Sequence, residues 1–202
     1  MELAEQKPLL EHPCNTPVKP AKVEAANVQV MLASRLRKGD RAAAQELVDL
    51  FYKRIYLYLR ELGHAQHASE DLLQETFMRA WYNIGQLRDD KALCAWLYRI
   101  ASNISSEHWR KQKRIDRVSQ QKLKLIDHVS QESESDRADI KEVLGHLQEA
   151  IEVLPWKLRQ AIVLHYLQSF TISDGAQAAG IKEGTFKSRL NRALTILRKQ
   201  FG

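Results

Sequence analysis

Apolar residues recur along this chain at steps of three and four, the spacing that lines one face of an α-helix, and the alternation that marks a strand is scarce. Val28, Met31, Leu32 and Leu36 open the series. Gly39 can close that helix and Asp40 can cap the next. In this second helix Ala44, Leu47, Phe51, Ile55, Tyr58 and Leu62 form a long stripe stopped by Gly63. Ser69 is the expected N-cap of a third helix, with Leu73, Phe77, Ala80 and Ile84 as its buried stripe and Gly85 at its end. Leu93, Leu97, Ile100 and Ile104 predict a fourth helix that runs into Arg110, Lys111, Lys113 and Arg114. Four such stripes can share one core, so residues 27–115 are expected to form a first helical domain.

The pattern breaks over residues 116–138, where Ser, Gln, Lys, Asp and Glu dominate and only Leu123, Leu125, Ile126 and Val129 interrupt them. Such a stretch buries too little apolar area to fold alone and reads as a flexible linker. Periodicity returns with Val143, Leu147, Ile151 and Leu154, and Pro155 then begins a further helix at a position that tolerates proline. The segment 171–197, TISDGAQAAGIKEGTFKSRLNRALTIL, reads as two helices around a turn. Thr171 and Asp174 can cap the first, and Gly180 suits a left-handed turn. In the second, Phe186, Leu190, Ala193, Leu194 and Leu197 fall in one stripe. Gly184, Lys187, Ser188, Asn191, Arg192 and Thr195 fall opposite, which is the grammar of a helix-turn-helix. The expected fold is all-α: two small helical domains, residues 27–115 and 139–202, joined by the linker and preceded by a disordered N-terminal extension over residues 1–26.

Charge sharpens this division. Residues 27–115 carry 15 basic and 10 acidic side chains and residues 139–202 carry 9 and 6, whereas residues 1–26 (3 and 4) and 116–138 (4 and 5) are slightly acidic. Two positive modules on a polar connector suit a polyanion gripped at two places. No run approaches the ~20 apolar residues of a membrane span. Residues 1–26 hold four prolines but no apolar signal core, so the cytoplasm is the expected compartment. Cys14 and Cys94 are each expected to be free thiols. His64 and His67 with Glu70 and Asp71 sit in a short loop leading into a helix, which argues against a metal site. No phosphate loop, nucleophile elbow or carboxylate pair stands out, so neither catalysis nor a cofactor is expected.

The strings DLLQETFMRAW (71–81), AWLYRIASN (95–103), EVLPWKLRQAIVLHYLQSFT and GIKEGTFKSRLNRAL, in this order and spacing, resemble the bacterial sigma-70 family. The similarity is greatest to the small extracytoplasmic-function (ECF) branch, which keeps only regions 2 and 4. The resemblance implies a non-enzymatic protein that binds core RNA polymerase, directs it to promoters and helps melt the minus-10 element. It implies contact with the polymerase clamp helices through the third helix, where Asp71, Gln74, Glu75, Met78, Arg79 and Tyr82 face away from the stripe. It implies minus-10 contacts from Gly85, Gln86, Leu87, Arg88 and Lys91 in the loop and from Tyr98, Ser102, Trp109, Arg110 and Lys113 on the fourth helix. On that helix Tyr98, Ser102, Ser105, Trp109 and Lys113 are expected opposite the buried stripe, where aromatic rings and cations suit unstacked bases. Minus-35 contacts would come from Lys187, Ser188, Asn191 and Arg192 at base edges, with Thr185 and Arg189 on phosphates. The helix from Pro155 to Leu167 would meet the polymerase flap, and an anti-sigma factor is an expected partner.

Two other readings fit parts of the chain: a two-domain transcription regulator acting without polymerase, and a sigma mimic that sequesters an anti-sigma factor. The first leaves the Asp71 to Tyr82 face without a use, and the second does the same for the basic face of the last helix. Gly175 departs from the family pattern, because most relatives place an aliphatic residue there. It is expected either to loosen the domain or to let two helices approach closely.

Overall fold

The computed structural model describes residues 19–120 and 150–201, and every regular element among them is helical. Helix α1 spans Lys19–Arg37, α2 Arg41–Glu61, α3 Gln66–Asn83 and α4 Leu93–Gln120. Short 3-10 turns at Ile84–Gln86 and Asp90–Ala92 shape the loop between α3 and α4. A helical turn over residues 150–153 precedes α5 (Trp156–Ile162), which passes into a π-helical turn, Val163–Leu167. Helices α6 (Ile172–Ala179) and α7 (Glu183–Phe201) complete the chain. Most of the expected extension and connector, together with Cys14, Val143 and Leu147, lie outside the described residues. Helix α1 nevertheless begins inside the segment expected to be disordered, and α4 runs on through Gln120 into the expected linker.

Local chemistry accounts for most of the boundaries. Asp40 accepts the backbone N–H groups of Ala42 and Ala43, satisfying donors that the first turn of α2 leaves free. Ser69 is not the cap of α3. That helix starts a turn earlier at Ala65, whose carbonyl accepts both the Ser69 N–H (2.9 Å) and its hydroxyl (3.0 Å), and Ser69 is buried inside the helix. Thr171 caps α6 as expected, its Oγ1 accepting the Asp174 N–H and donating to the Asp174 carboxylate. Gly180 ends α6 at φ 67°, a left-handed conformation that a β-carbon would penalise.

Gly175 is explained by packing. A β-carbon there would stand 2.6 Å from Cζ of Phe186, a fully buried ring on α7, so the two helices approach as closely as this glycine allows. Close approach, one of the two expected consequences, is therefore the one realised.

Helices α1 to α4 enclose Leu32, Leu47, Phe51, Ile55, Leu59, Leu73 and Leu97, and α5 to α7 enclose Ile162, Leu164, Phe186, Leu190 and Ala193. The two units also close on each other. The α4–α6 contact is the most extensive helix pairing among the described residues, and the buried cluster runs continuously from one unit into the other. At its centre the Tyr98 hydroxyl donates to Gln168 Oε1 at 2.7 Å, and Gln168 Nε2 donates to Glu61 Oε2 at 2.8 Å. Phe170 meets the Tyr98 ring edge-on at 4.8 Å, and Arg159 of α5 donates to the carbonyl of Leu62 at 2.9 Å. Burial raises the Glu61 pKa to about 7 despite the Gln168 bond, while burial and the neighbouring His108 and Arg159 lower that of His64 to about 4. Cys94, expected as a free thiol, is disulfide-bonded.

Two predictions follow from this packing. Gly175→Ala gains about 1 kcal/mol in helix propensity but overpacks against Phe186, a strain of about 1–3 kcal/mol. It should therefore lower the urea midpoint, and a raised midpoint would show that Phe186 can move aside. Glu61 and His64 should give opposing pH dependences. The folded chain holds the Glu61 proton up to about pH 7, whereas the ordinary value is 4.5, so this carboxyl makes stability fall as pH rises across that window. His64 stays neutral down to about pH 4 against an ordinary 6.5, so its contribution rises with pH between those values. Glu61→Gln removes only the first slope. The stability difference between variant and wild type should then grow in the variant's favour from about pH 4.5 to 7; a constant difference in urea titrations at several pH values would contradict the assignment.

Candidate functional site

Three surfaces carry the residues singled out from the sequence. The first is a shallow groove of about 400 Å³ on α3, lined by Asp71, Gln74, Glu75, Met78, Arg79 and Tyr82, so this expected set converges on one place. The buried face of α3 carries Leu72, Leu73, Thr76 and Ala80, which turns the groove residues outward. Met78 and Tyr82 are 51% and 77% exposed, an unusual amount of wet apolar surface for side chains this large. Arg79 is not a free cation: it donates to Glu75 at 2.6 Å and to Glu107 of α4 at 2.9 Å. This pairing holds the groove's charged rim against the next helix.

The second surface is a cleft of about 870 Å³ between the α3–α4 loop and α4. Leu87 is buried as an anchor, and Arg37 of α1 donates to the Leu87 carbonyl at 2.8 Å and pairs with Asp90, so the loop has a defined shape. Gly85, Gln86 and Arg88 line the cleft from the loop with their side-chain positions exposed. Trp96, Arg99 and Asn103 line it from α4, and Gln177 of α6 reaches it from the other unit. Lys91, Arg110 and Lys113 are exposed nearby in sequence but do not line it.

Several fourth-helix expectations are corrected here. Tyr98, Ser102 and Ser105 are buried, not open to bases. Ser102 donates to the Tyr98 carbonyl at 2.7 Å and meets the Tyr58 hydroxyl at 2.8 Å, and Ser105 meets His64 Nε2 at 2.7 Å. Leu87 is likewise an anchor within the fold. Trp109 is half-buried, its ring 5.1 Å from that of His64, in the packing role. The cause is geometric: α4 is covered by α2 and α3 on one side and by α6 on another, so its buried face is wider than one apolar stripe. The open side of this stretch lies instead at Arg99 and Asn103, which are exposed, beside half-buried Trp96. Their spacing of three and four was legible in the sequence, as a mixed aromatic and polar stripe beside the Leu93–Leu97–Ile104 line.

The third surface is the outer face of α7. Thr185, Lys187, Ser188, Asn191 and Arg192 are exposed and Arg189 is half-buried, while Phe186, Leu190, Ala193 and Leu197 are buried beneath them. Burial lowers the Arg189 pKa from its ordinary value. The cap at Thr171, the turn at Gly180 and the Gly175–Phe186 contact together set the angle at which α7 stands on α6. Pro155, Lys157, Tyr166 and Leu167 are the exposed side chains of the stretch expected to face the flap. His64 and His67 do not converge, since His64 turns inward to Ser105 while His67 stays exposed, 3.9 Å from Asp71. No helix among the described residues is long and apolar enough to cross a membrane.

Comparison with known proteins matches residues 47–115 to sigma-70 region 2 and residues 144–197 to sigma-70 region 4. The ECF RNA polymerase sigma factor SigW of Bacillus subtilis (strain 168) is 31% identical over 184 residues, which cover 86% of this chain and 98% of that protein. The ECF RNA polymerase sigma factor SigM of the same organism is 32% identical over 149 residues, covering 73% of this chain and 88% of that protein. Among solved structures, the sigma factor RpoE in complex with the anti-sigma factor NepR from Bartonella quintana aligns at a TM-score of 0.61 and 25% identity, covering 77% of this chain and 94% of that one. With both regions matched in order, and relatives alike along most of their length, the chain belongs to the sigma-70 family and, within it, to the ECF group of sigma factors.

Proposed function

We propose that this protein is the promoter-specificity subunit of a bacterial RNA polymerase, binding the core enzyme through the α3 groove and reading promoter DNA through the α4 cleft and the outer face of α7. The observation that carries this reading is the coexistence of both kinds of surface on one chain: an apolar and charged groove suited to a partner helix, and a recognition helix with exposed Lys187, Asn191 and Arg192. A regulator working without polymerase leaves the groove without a use, and a mimic leaves the recognition face without one.

The roles divide by chemistry. Asp71, Gln74, Glu75, Met78, Arg79 and Tyr82 meet the clamp helices of the core enzyme, and the exposed end of the α5 segment, Tyr166 and Leu167, meets the flap. Gly85, Gln86, Arg88, Trp96, Arg99 and Asn103 hold a melted strand of the minus-10 element, with Trp96 offering a ring to an unstacked base and Arg88 and Arg99 neutralising phosphates. Lys91, Arg110 and Lys113 add cationic surface along the same path. Lys187, Ser188, Asn191 and Arg192 address base edges of the minus-35 element in the major groove, while Thr185 and Arg189 fix register on phosphates. The subunit works in the cytoplasm, without a cofactor or catalysis of its own. Its structural neighbour bound to NepR supports control by an anti-sigma factor.

Run-off transcription with purified core polymerase tests the whole reading: discrete transcripts should appear only when this protein is added, and none on any candidate promoter would overturn it. Asp71→Lys, a charge reversal on an exposed site, should weaken holoenzyme assembly about tenfold or more in a native-gel titration without changing helicity; unchanged assembly would remove the groove from the interface. Arg192→Ala should cost about 1–3 kcal/mol of discrimination at one minus-35 position. An unaltered promoter preference would take Arg192 out of the reading set.

A further inference from the structure

The loop between α3 and α4 is shaped by a helix that precedes the stretch matched to region 2, which begins at residue 47. Between the 3-10 turns Ile84–Gln86 and Asp90–Ala92 lie Leu87, Arg88 and Asp89, which have no regular structure, yet Arg88 and Asp89 line the cleft. Burial of Leu87 anchors the start of this stretch, and at its end the Asp89 carboxylate accepts the Lys91 N–H at 3.0 Å. Neither contact spans Arg88.

Arg37 of α1 does span it. Its Nη2 donates to the Leu87 carbonyl at 2.8 Å, and Nη1 and Nη2 both donate to the Asp90 carboxylate, Nη1 at 3.0 Å. One guanidinium therefore holds residues 87 and 90 at a fixed separation and brackets the two residues between them. A planar fork of donors can do this, whereas a lysine ammonium is a point charge on a flexible stem. The direction of Arg37 is set from behind. Arg35, two residues earlier and so about 200° round the helix, turns to Asp40 at 2.8 Å and to Glu46 of α2 at 2.6 Å. Buried Gln29 ties α1 to the other end of the loop, its Oε1 accepting the Cys94 N–H in the first turn of α4 at 3.4 Å. Arg37 itself does not line the cleft.

We propose that Arg37 is a positioning residue for promoter selectivity: by bridging Leu87 and Asp90 it holds Arg88 and Asp89 in the loop conformation that discriminates among minus-10 sequences. This role rests on reading the cleft as the seat of the minus-10 strand. Partly exposed ion pairs add little to global stability, so losing the bridge acts on the loop and leaves the helices intact. A released loop samples many conformations, of which only a fraction can bind the correct base, while contacts to phosphates, which carry no sequence information, persist. Selectivity then falls further than affinity. Simple attraction for phosphates follows a different pattern: removing the Arg37 charge weakens it, and removing the Asp90 charge strengthens it. A bridge needs both partners, so either loss has the same effect.

The test uses Arg37→Gln, Asp90→Asn and the double variant in the full chain. Circular dichroism checks folding, and either single variant carries the test if the other does not fold. Backbone hydrogen exchange of the free chain should quicken about tenfold at residues 87–90 in each variant and stay unchanged in α2. Assembled with core polymerase, each single variant should lose about tenfold of its discrimination between the preferred minus-10 sequence and singly altered ones, roughly the weight of one mismatched base pair, and keep its minus-35 preference. The double variant should lose no more than either single one. Unchanged exchange would show that Arg37 does not hold the loop. Quickened exchange with wild-type discrimination would show that the bridge does not set selectivity, and opposite effects of the two single variants would show that charge acts in place of shape. If the wild-type holoenzyme transcribes but has no minus-10 preference, the minus-10 reading of the cleft falls and the selectivity role falls with it, whereas the exchange result separately decides whether the bridge holds the loop.

Discussion

Helix α4 has to be buried from two directions, and much of the architecture follows from that constraint. Leu93, Leu97 and Ile104 serve the core of the first unit, while Tyr98 sits where Gln168 and Phe170 arrive from the second. Where α4 is loaded on two sides, it leaves the cleft half-buried Trp96 with exposed Arg99 and Asn103. That strip is the one proposed to meet nucleic acid.

The fold was legible wherever local rules and burial agreed. The stripe from Leu47 through Phe51 and Ile55 to Tyr58, the Asp40 cap and the Thr171–Asp174 cap each required only neighbouring residues to explain. The α3 groove was legible for the same reason: once Leu73 and Ala80 faced inward, Asp71, Met78 and Tyr82 had to face out. The errors fall on α4 and at Ser69, where the deciding partner is distant in sequence or the helix extends one turn further than its cap signal. Tyr98, a tyrosine one step off an apolar stripe, looks amphipathic until Gln168, seventy residues on, takes its hydroxyl. No periodicity within one helix can announce a second covering helix.

Gly175 teaches a related lesson in the helix-turn-helix. Read alone, a mid-helix glycine weakens α6; read with Phe186, it is the space that the ring occupies. Burying an aromatic ring of that size contributes about 1.5–3 kcal/mol, more than the glycine costs in propensity. The same contact seats α7 so that its polar face is presented outward, which links a packing detail to the surface proposed to read duplex DNA.

Polar and apolar contributions therefore do different work here. Apolar stripes hold each unit together, while Gln168, Tyr98, Glu61 and Arg159 decide how the units meet. The most direct measurement is energy transfer between dyes placed at the exposed positions Asp49 on α2 and Arg198 on α7, recorded as core RNA polymerase is titrated in. A single high-transfer state for the free chain, giving way to low transfer as transcription-competent holoenzyme forms, is the expected result. Unchanged transfer in an actively transcribing complex would contradict the proposal that the first unit meets the minus-10 element while α7 meets the minus-35 element.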